Sequence, residues 1–240
     1  MKKLIAVFAF VSFVLFYGQL FAQVTFSSGL RVGINSADME FQSAFEDEDM
    51  TFSNRTGIYV GLPVEIRFSN AFALQPELNF IQKGVNAEYQ YSGSDWQEES
   101  TTEITLNYLE LPVLAKLSAG TEQFQMFALA GPRISMALDG EISMDYEYYM
   151  DGELVDYGSG SLSIPVGESS EDGIGANRFD FGLTFGLGAS LKAGPGRVMV
   201  DARYDLGLGN WNYDAADSEE EIFNRGVGVT LGYLMPLGGN

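Results

Sequence analysis

A strictly alternating segment is the feature that most restricts the fold. From residue 179 to residue 191 every odd position is apolar, and the even positions between them are Asp, Gly, Thr, Gly, Gly and Ser. A repeat of two residues held over thirteen positions predicts a β-strand and excludes a helix. Residues 193–196, Ala-Gly-Pro-Gly, have turn composition, and alternation resumes over residues 198–208. Together the two segments predict a long β-hairpin.

The polar face of this hairpin indicates which side of the sheet is inside. Water-facing sheets carry Lys, Glu and Thr, whereas this face mixes glycines with charges of both signs. Small and charged residues together are typical of a narrow, crowded interior, so we predict that the apolar face is the outside. An outward apolar band on strands of about ten residues is the pattern of a transmembrane β-barrel.

The same alternation recurs along the chain and predicts eight strands. They cover residues 26–35, 55–68, 71–89, 103–117, 123–138, 179–191, 197–208 and 224–237. For the fifth strand the pattern does not decide which face points inward, because Phe127 and Leu129 share a face with Gln125 and Arg133.

Three short connections alternate with four long ones, as expected for short periplasmic turns and long outer loops. The long connections cover about residues 36–54, 91–102, 139–176 and 214–222. We therefore predict an all-β fold, an eight-stranded antiparallel up-and-down transmembrane β-barrel with short periplasmic turns and four long acidic outer loops.

Acidic and basic residues concentrate in different parts of the predicted barrel. Of the 33 acids, 26 lie in or beside the long connections, whereas most basic residues fall on inward faces. The interior of an eight-stranded barrel is just wide enough to be filled by side chains, so inward charges need partners. We predict a lumen charge network of Arg31, Glu65, Arg67, Glu77, Lys83, Glu110, Lys116, Arg133, Arg178, Asp180, Asp201, Arg203 and Asp205. The functional alternative is a catalytic carboxylate pair or a proton relay among them.

Composition and the first residues exclude several classes of protein. Cysteine and histidine are absent, and the net charge is −20, so a disulfide framework, a thiolate metal site and a nucleic-acid partner are all excluded. Residues 1–22 have the layout of a cleaved secretory signal peptide. Residues 23–240 are then one exported barrel domain, which we expect in the cell outer membrane, in contact with its lipid bilayer and monomeric.

Catalysis is not expected, because barrel hydrolases rely on histidine. No organic cofactor is expected either. The acidic loops predict weak binding of hard divalent cations such as calcium, which accept carboxylate oxygens. The candidate ligands are Glu46, Asp47, Glu48, Asp49, Asp151 and Glu153. The alternative is that this charge only keeps the loops solvated.

Four tyrosines stand among the acids of the third long connection, namely Tyr146, Tyr148, Tyr149 and Tyr157. Tyrosine offers rigid contact area to a partner. The alternative is that the barrel strands continue above the membrane and the tyrosines pack across them.

Several short motifs resemble the PorT family of outer-membrane β-barrel proteins, which is common in Bacteroidetes. They are GLRVGIN at 29–35, LQPEL at 74–78 with QKG at 82–84, LELPVL at 109–114 with Lys116, AGPR at 130–133 and GVTLGY at 228–233. Their order spans nearly the whole chain after residue 22. The resemblance implies an eight-stranded outer-membrane barrel and an association with protein secretion.

Three functional hypotheses follow. The first is a structural or interaction barrel with a side-chain-filled, non-conducting lumen, which binds a protein partner at its acidic outer loops or on the periplasmic side. The second is the secretion-associated barrel that the resemblance implies. The third is a soluble ligand-binding β-barrel, which would require the apolar faces to point inward.

Overall fold

The computed structural model describes residues 24–41, 50–168, 175–211 and 221–237. The predicted signal peptide therefore lies outside the described residues. The strands within them are β1 (Thr25–Phe41), β2 (Met50–Arg67), β3 (Phe72–Ser92), β4 (Trp96–Gly120), β5 (Phe124–Met150), β6 (Glu153–Ile164), β7 (Phe179–Ala193), β8 (Gly196–Asn210) and β9 (Ile222–Leu237). In this part of the chain, no helix is both long and apolar enough to cross a membrane.

Eight of these strands close into a ring. Every neighbouring pair is antiparallel, and the ring runs β1-β2-β3-β4-β5-β7-β8-β9. It closes between the first and last strands, where Phe26 pairs with Leu237 and Phe41 with Ile222. β6 stands outside the ring and pairs with β5. The predicted all-β, eight-stranded up-and-down barrel is confirmed.

The alternation of the strands separates the two surfaces of the ring. On β7, Leu187 is 70% exposed, whereas Asp180 and Thr184 on the opposite face are each 3% exposed. β1 repeats the arrangement, with Ile34 exposed and Arg31 buried. The apolar faces therefore form the outer wall of the barrel. A soluble ligand-binding barrel needs the reverse arrangement, so that hypothesis is wrong.

Glycines in β7 make room for bulky inward side chains of the neighbouring strand β5. A Cβ atom at Gly188 would lie 2.5 Å from Phe127 Cζ and 2.6 Å from Asp201 Cβ. Phe127 and Leu129 are both buried inside with Arg133, which settles the inward face of the fifth strand. The small residues on the polar face of β7 are thus explained by packing.

Two of the four predicted long loops are strands. β3 continues to Ser92 and β4 starts at Trp96, so only three residues connect them where residues 91–102 were expected to form a loop. β5 continues to Met150, and β6 starts at Glu153. Above the membrane both sheet faces meet water, so apolar alternation disappears while the β propensity of Thr, Tyr and Ile persists. The four tyrosines therefore lie on strands that continue past the barrel, as the strand-extension hypothesis predicts. Tyr148 packs across the sheet against Trp96, whereas Tyr157 is 74% exposed.

The strand ends beyond the ring form what we call the outer sheet. It comprises residues 50–54 of β2, 85–92 of β3, 96–107 of β4, 139–150 of β5, and β6. β5 is 27 residues long, whereas a membrane-crossing β-strand needs about 9–11. Much of β4 and β5 therefore projects past the barrel on the side opposite the short turns.

Apolar side chains occupy both ends of the interior, which the sequence pattern did not predict. The cluster on the outer-sheet side consists of Met39, Tyr59, Ile81, Val85, Leu106, Tyr108, Ala137, Ile164, Ala176 and Ile222. A second cluster lies toward the short turns and consists of Leu114, Phe127, Leu129, Met199 and Leu234. The buried charges lie between and beside these two clusters, so the interior is layered.

Candidate functional site

The middle of the lumen holds a closed ring of four charges. The Arg31 guanidinium of β1 lies 3.0 Å from Glu77 Oε1 of β3 and 3.2 Å from Asp201 Oδ2 of β8. The Arg203 guanidinium, also on β8, lies 2.7 Å from Glu77 Oε2 and 2.6 Å from Asp201 Oδ1. Each side chain is at most 2% exposed. Each base therefore contacts both acids, and the ring is electrically neutral.

Glu77 is the most connected member of this central cluster. Its carboxylate accepts hydrogen bonds from Arg31, Arg203, Tyr59, Gln75 and Asn79. Gln75 and Asn79 precede and follow Glu77 by two residues, so they share its inward face on β3. Alternation places three polar side chains side by side here, and the donors from β1, β2 and β8 complete the coordination.

A second charge cluster lies toward the outer sheet. The Lys83 ammonium is 2.5 Å and the Arg133 guanidinium 2.9 Å from the same carboxylate oxygen of Glu110. Arg133 also lies 3.2 Å from Asp180 Oδ2 and 3.9 Å from Asp205 Oδ1. Three acids therefore surround two bases, which leaves this cluster one negative charge in excess.

A third cluster lies toward the short turns. The Lys116 ammonium is 2.8 Å and the Arg67 guanidinium 2.7 Å from the two oxygens of Glu65. Lys116 also donates to Gln75 Oε1 and lies 4.2 Å from the centre of the Phe127 ring. This cluster carries one positive charge in excess, which offsets the excess of the cluster near the outer sheet.

The structure brings together twelve of the thirteen residues predicted for the lumen network. The six bases are Arg31, Arg67, Lys83, Lys116, Arg133 and Arg203, and the six acids are Glu65, Glu77, Glu110, Asp180, Asp201 and Asp205. The prediction for Arg178 is wrong. It is exposed, and its guanidinium donates to the Val166 carbonyl. Arg178 precedes β7, where a strand face no longer fixes its direction.

Neutral polar residues complete the lumen, and the sequence analysis did not single them out. Ser135 donates to Glu110, and Asn224 donates to Asp180 and to the Tyr108 hydroxyl. Their positions on inward faces were readable from the alternation, but their partners lie 25, 44 and 116 residues away. Only the strand order of the closed ring brings such distant residues together.

The outer sheet carries a row of aromatic side chains. The ring centres are 6.3 Å apart for Tyr89 and Tyr91, 5.2 Å for Tyr91 and Trp96, and 6.0 Å for Trp96 and Tyr148. The strand registers place Glu98 opposite both Tyr91 and Tyr148. A carboxylate thus lies within an aromatic row that crosses three strands. Aromatic faces and carboxylates both attract cations.

The opposite face of the outer sheet is polar. Glu99 accepts hydrogen bonds from Gln90 and Gln97. The Tyr149 hydroxyl donates to Glu147, which raises the pKa of Tyr149 because the bond favours the protonated phenol.

A cleft of about 520 Å³ opens at the tip of the sheet. It lies between the β3–β4 and β5–β6 turns, which are joined by a hydrogen bond from Asp151 N to Asp95 O.

Acids dominate the outer sheet and its two turns. Its twelve acidic residues are Glu88, Asp95, Glu98, Glu99, Glu103, Asp139, Glu141, Asp145, Glu147, Asp151, Glu153 and Asp156. The same residue ranges contain no Lys or Arg. Just below them, Arg55 pairs with Glu103 at 2.9 Å. The outer sheet is thus a concentrated region of negative charge with almost no internal compensation.

The predicted cation ligands fall into two parts. Glu46, Asp47, Glu48 and Asp49 lie outside the described residues, whereas Asp151 lies in the β5–β6 turn and Glu153 is the first residue of β6. Among the residues that the structure describes, no group of three or more potential ligands is placed to hold a metal ion. Calcium binding stays a prediction.

The chain is similar to several solved structures. Neisserial surface protein A shares 12% identity at a TM-score of 0.42, covering 88% of this chain and 96% of its own. The attachment invasion locus protein Ail of Yersinia pestis shares 11% identity at a TM-score of 0.39, covering 88% and 99% respectively. Neither likeness bears on function. A comparison with curated proteins gave no significant match.

The family is shown by the sequence itself. Residues 21–212 match the profile described as outer membrane protein beta-barrel domain. This match covers most of the ring and the outer sheet, and the apolar outer wall agrees with it. Membership of the PorT family is a finer assignment that stays a prediction. The chain belongs to the outer membrane protein beta-barrel domain family.

Proposed function

We propose that this protein is a non-conducting outer-membrane barrel that binds a cationic partner through its outer sheet. The observation that carries the proposal is the unbalanced charge of that sheet, which has twelve acids and no Lys or Arg. Charges inside the barrel are balanced one for one, so the excess lies where a partner can reach it. Uncompensated surface charge of one sign speeds association with partners of the opposite sign.

The aromatic row supports the same assignment. Tyr91 is exposed although it packs against Tyr89 and Trp96 in the row, and Tyr146, two residues before Tyr148 on β5, is exposed as well. Tyrosine and tryptophan are enriched in protein interfaces because they offer large, rigid contact area. With Glu98 between Tyr91 and Tyr148, these rings suit a lysine or arginine side chain.

The lumen supports binding as the role rather than transport or catalysis. Its charged residues are held in pairs by near neighbours, and the apolar clusters lie at both ends. Glu77, at the centre of the lumen, accepts three hydrogen bonds from Arg31 and Arg203, so it is a poor proton carrier, since proton uptake would break a buried pair. A secretion-associated role stays a prediction from the resemblance alone.

Binding of a cationic peptide to the full chain in lipid nanodiscs tests the proposal. We expect a fluorescent ten-residue lysine-rich peptide to bind at low salt and to be released as the salt concentration rises. Replacing Glu98, Glu99 and Glu147 by glutamine should weaken binding about tenfold. The matched control is Glu122→Gln, because Glu122 is exposed in the short β4–β5 turn at the other end of the barrel. Equal binding by the triple variant and the control would refute the proposal.

A further inference from the structure

β6 is an edge strand. It pairs with β5 from Gly140↔Ile164 to Met150↔Glu153. Lower down, β5 uses the same edge to pair with β7, from Phe124↔Leu191 to Met136↔Phe179. Among the described residues no strand pairs with the far side of β6, and the sheet order ends there. About half of the N–H and C=O groups of this twelve-residue strand therefore point to the free edge, and the others face β5.

One hydrogen bond shows which N–H groups point to this free edge. The Tyr157 amide donates to its neighbour's carboxylate, Asp156 Oδ1, at 2.9 Å. A side-chain acceptor takes the place that a neighbouring strand would fill. Because N–H direction alternates along a strand, Ser159, Ser161 and Ser163 present their amides to the same side.

Natural proteins protect long edges, and apart from a register shift near its start, between Leu154 and Asp156, β6 lacks the usual devices. It contains no proline and no lysine, and residues 158–164 carry no charge. Its exposed apolar residues include Tyr157 at 74%, Val155 at 54% and Leu162 at 49%. Lysine, proline and inward charges are the features that block pairing at sheet edges. An unprotected edge of this length, held away from the membrane, is suited to accept a strand.

Charge decides between the partners that could supply that strand. A second copy of this chain would bring its own acidic outer sheet against the first, and Glu153 and Asp156 of β6 would face the same residues of the copy. A basic segment removes that repulsion and compensates the carboxylates of β5 and β6. We propose that β6 binds a basic, extended polypeptide segment of another protein as an added β-strand. This inference rests on the proposed function, and it adds where and how the cationic partner docks.

A pair of backbone-modified peptides tests the strand addition on the wild-type protein. The probe is a fluorescent ten-residue peptide of alternating lysine and threonine, added to the full chain in nanodiscs. Two forms carry N-methyl groups, one at the odd and one at the even positions. In an added strand only one set of amides faces β6, so one form should bind at least about tenfold more weakly than the other. If the peptide contacted the protein through its side chains alone, the two N-methyl forms would lose affinity equally.

A variant of the edge tests the same point from the protein side. Ser161→Pro removes an amide that faces the free edge, and proline is tolerated there because that amide does not pair with β5. We expect Ser161→Pro to weaken binding at least about tenfold and Ser161→Ala, the matched control, to leave it unchanged. The heat-modified shift on gels confirms that both variants fold.

The outcomes separate this inference from the proposed function. If the peptide binds with a salt-dependent affinity but both N-methyl forms and both Ser161 variants bind alike, the strand addition is wrong. The proposal that the partner is cationic is then still supported. If no lysine-containing peptide binds at low salt, both the proposed function and the strand addition are wrong. Concentration-dependent dimers of the wild type that Ser161→Pro abolishes would overturn the choice of partner, because the edge would then be occupied by a second copy.

Discussion

Removing Glu77 is the sharpest perturbation of the barrel interior. In Glu77→Ala, Arg31 and Arg203 lose a carboxylate at 3.0 and 2.7 Å and are left to share Asp201. Two unit charges 3 Å apart attract by roughly 5 kcal/mol at an effective dielectric constant of about 20. Part of this lost attraction is offset because the carboxylate no longer has to be desolvated on folding. The expected net loss is about 3 to 5 kcal/mol of unfolding free energy, the usual result of breaking a buried pair from one side.

Urea titration of the refolded protein in micelles measures this loss, with the heat-modified gel shift reporting the folded fraction. Glu122→Ala is the control, since Glu122 is exposed in the β4–β5 turn. The double variant Glu77→Ala/Arg203→Met leaves Arg31 with Asp201 as a matched pair, so it should recover about half of the loss. If Glu77→Ala and Glu122→Ala unfold at the same urea concentration, the assignment of inside and outside is wrong.

Three further predictions concern the lumen and the tip. Planar bilayers that contain the purified protein should show no stable conductance, because paired charges and two apolar clusters fill the lumen; porin-like steps would contradict this. Glu110→Ala should destabilise the barrel by about 3 to 5 kcal/mol, since it leaves Lys83 and Arg133 without their shared carboxylate, and the same urea titration checks it. Calorimetric titration should detect weak calcium binding that Asp151→Asn/Glu153→Gln reduces; no heat at millimolar calcium would leave solvation as the role of these acids.

The ring was predictable because the bilayer imposes a pattern on the sequence. Lipid on one side and a crowded lumen on the other force strict alternation. Phe181, which faces the lipid, next to Gly182, which faces the lumen, is an example. The strand pairs then follow from chain order, since up-and-down connections make neighbours of consecutive strands. The residues inside were therefore readable from the faces, with Glu77 and Arg203 as examples.

The outer sheet was not predictable by the same signal. Residues 96–105 and 141–150 have no buried side chain on either face, so nothing in their apolar pattern separates a strand from a polar loop. β propensity was the remaining indication, in the threonines before Ile104 and the tyrosines before Met150. The inward apolar residues Leu114 and Met199 were missed for the opposite reason, because the lumen was expected to be polar and is partly closed by hydrophobic packing.

The charge clusters of the lumen also constrain how the barrel can be assembled. Among the described residues, seven of the nine strands carry part of a lumen pair whose other member is on a different strand. Lys116 of β4 is paired with Glu65 of β2, and Arg31 of β1 with Glu77 of β3. A strand that entered the hydrocarbon alone would bring an unmatched charge, at roughly 2 to 4 kcal/mol for each Arg or Lys near the midplane. A half-assembled barrel would gain little stabilisation from these pairs, since the central ring of charges is complete only when β8 joins β1 and β3. Ring closure and entry into the bilayer are therefore coupled, and the protein reaches the membrane interior as a whole or not at all.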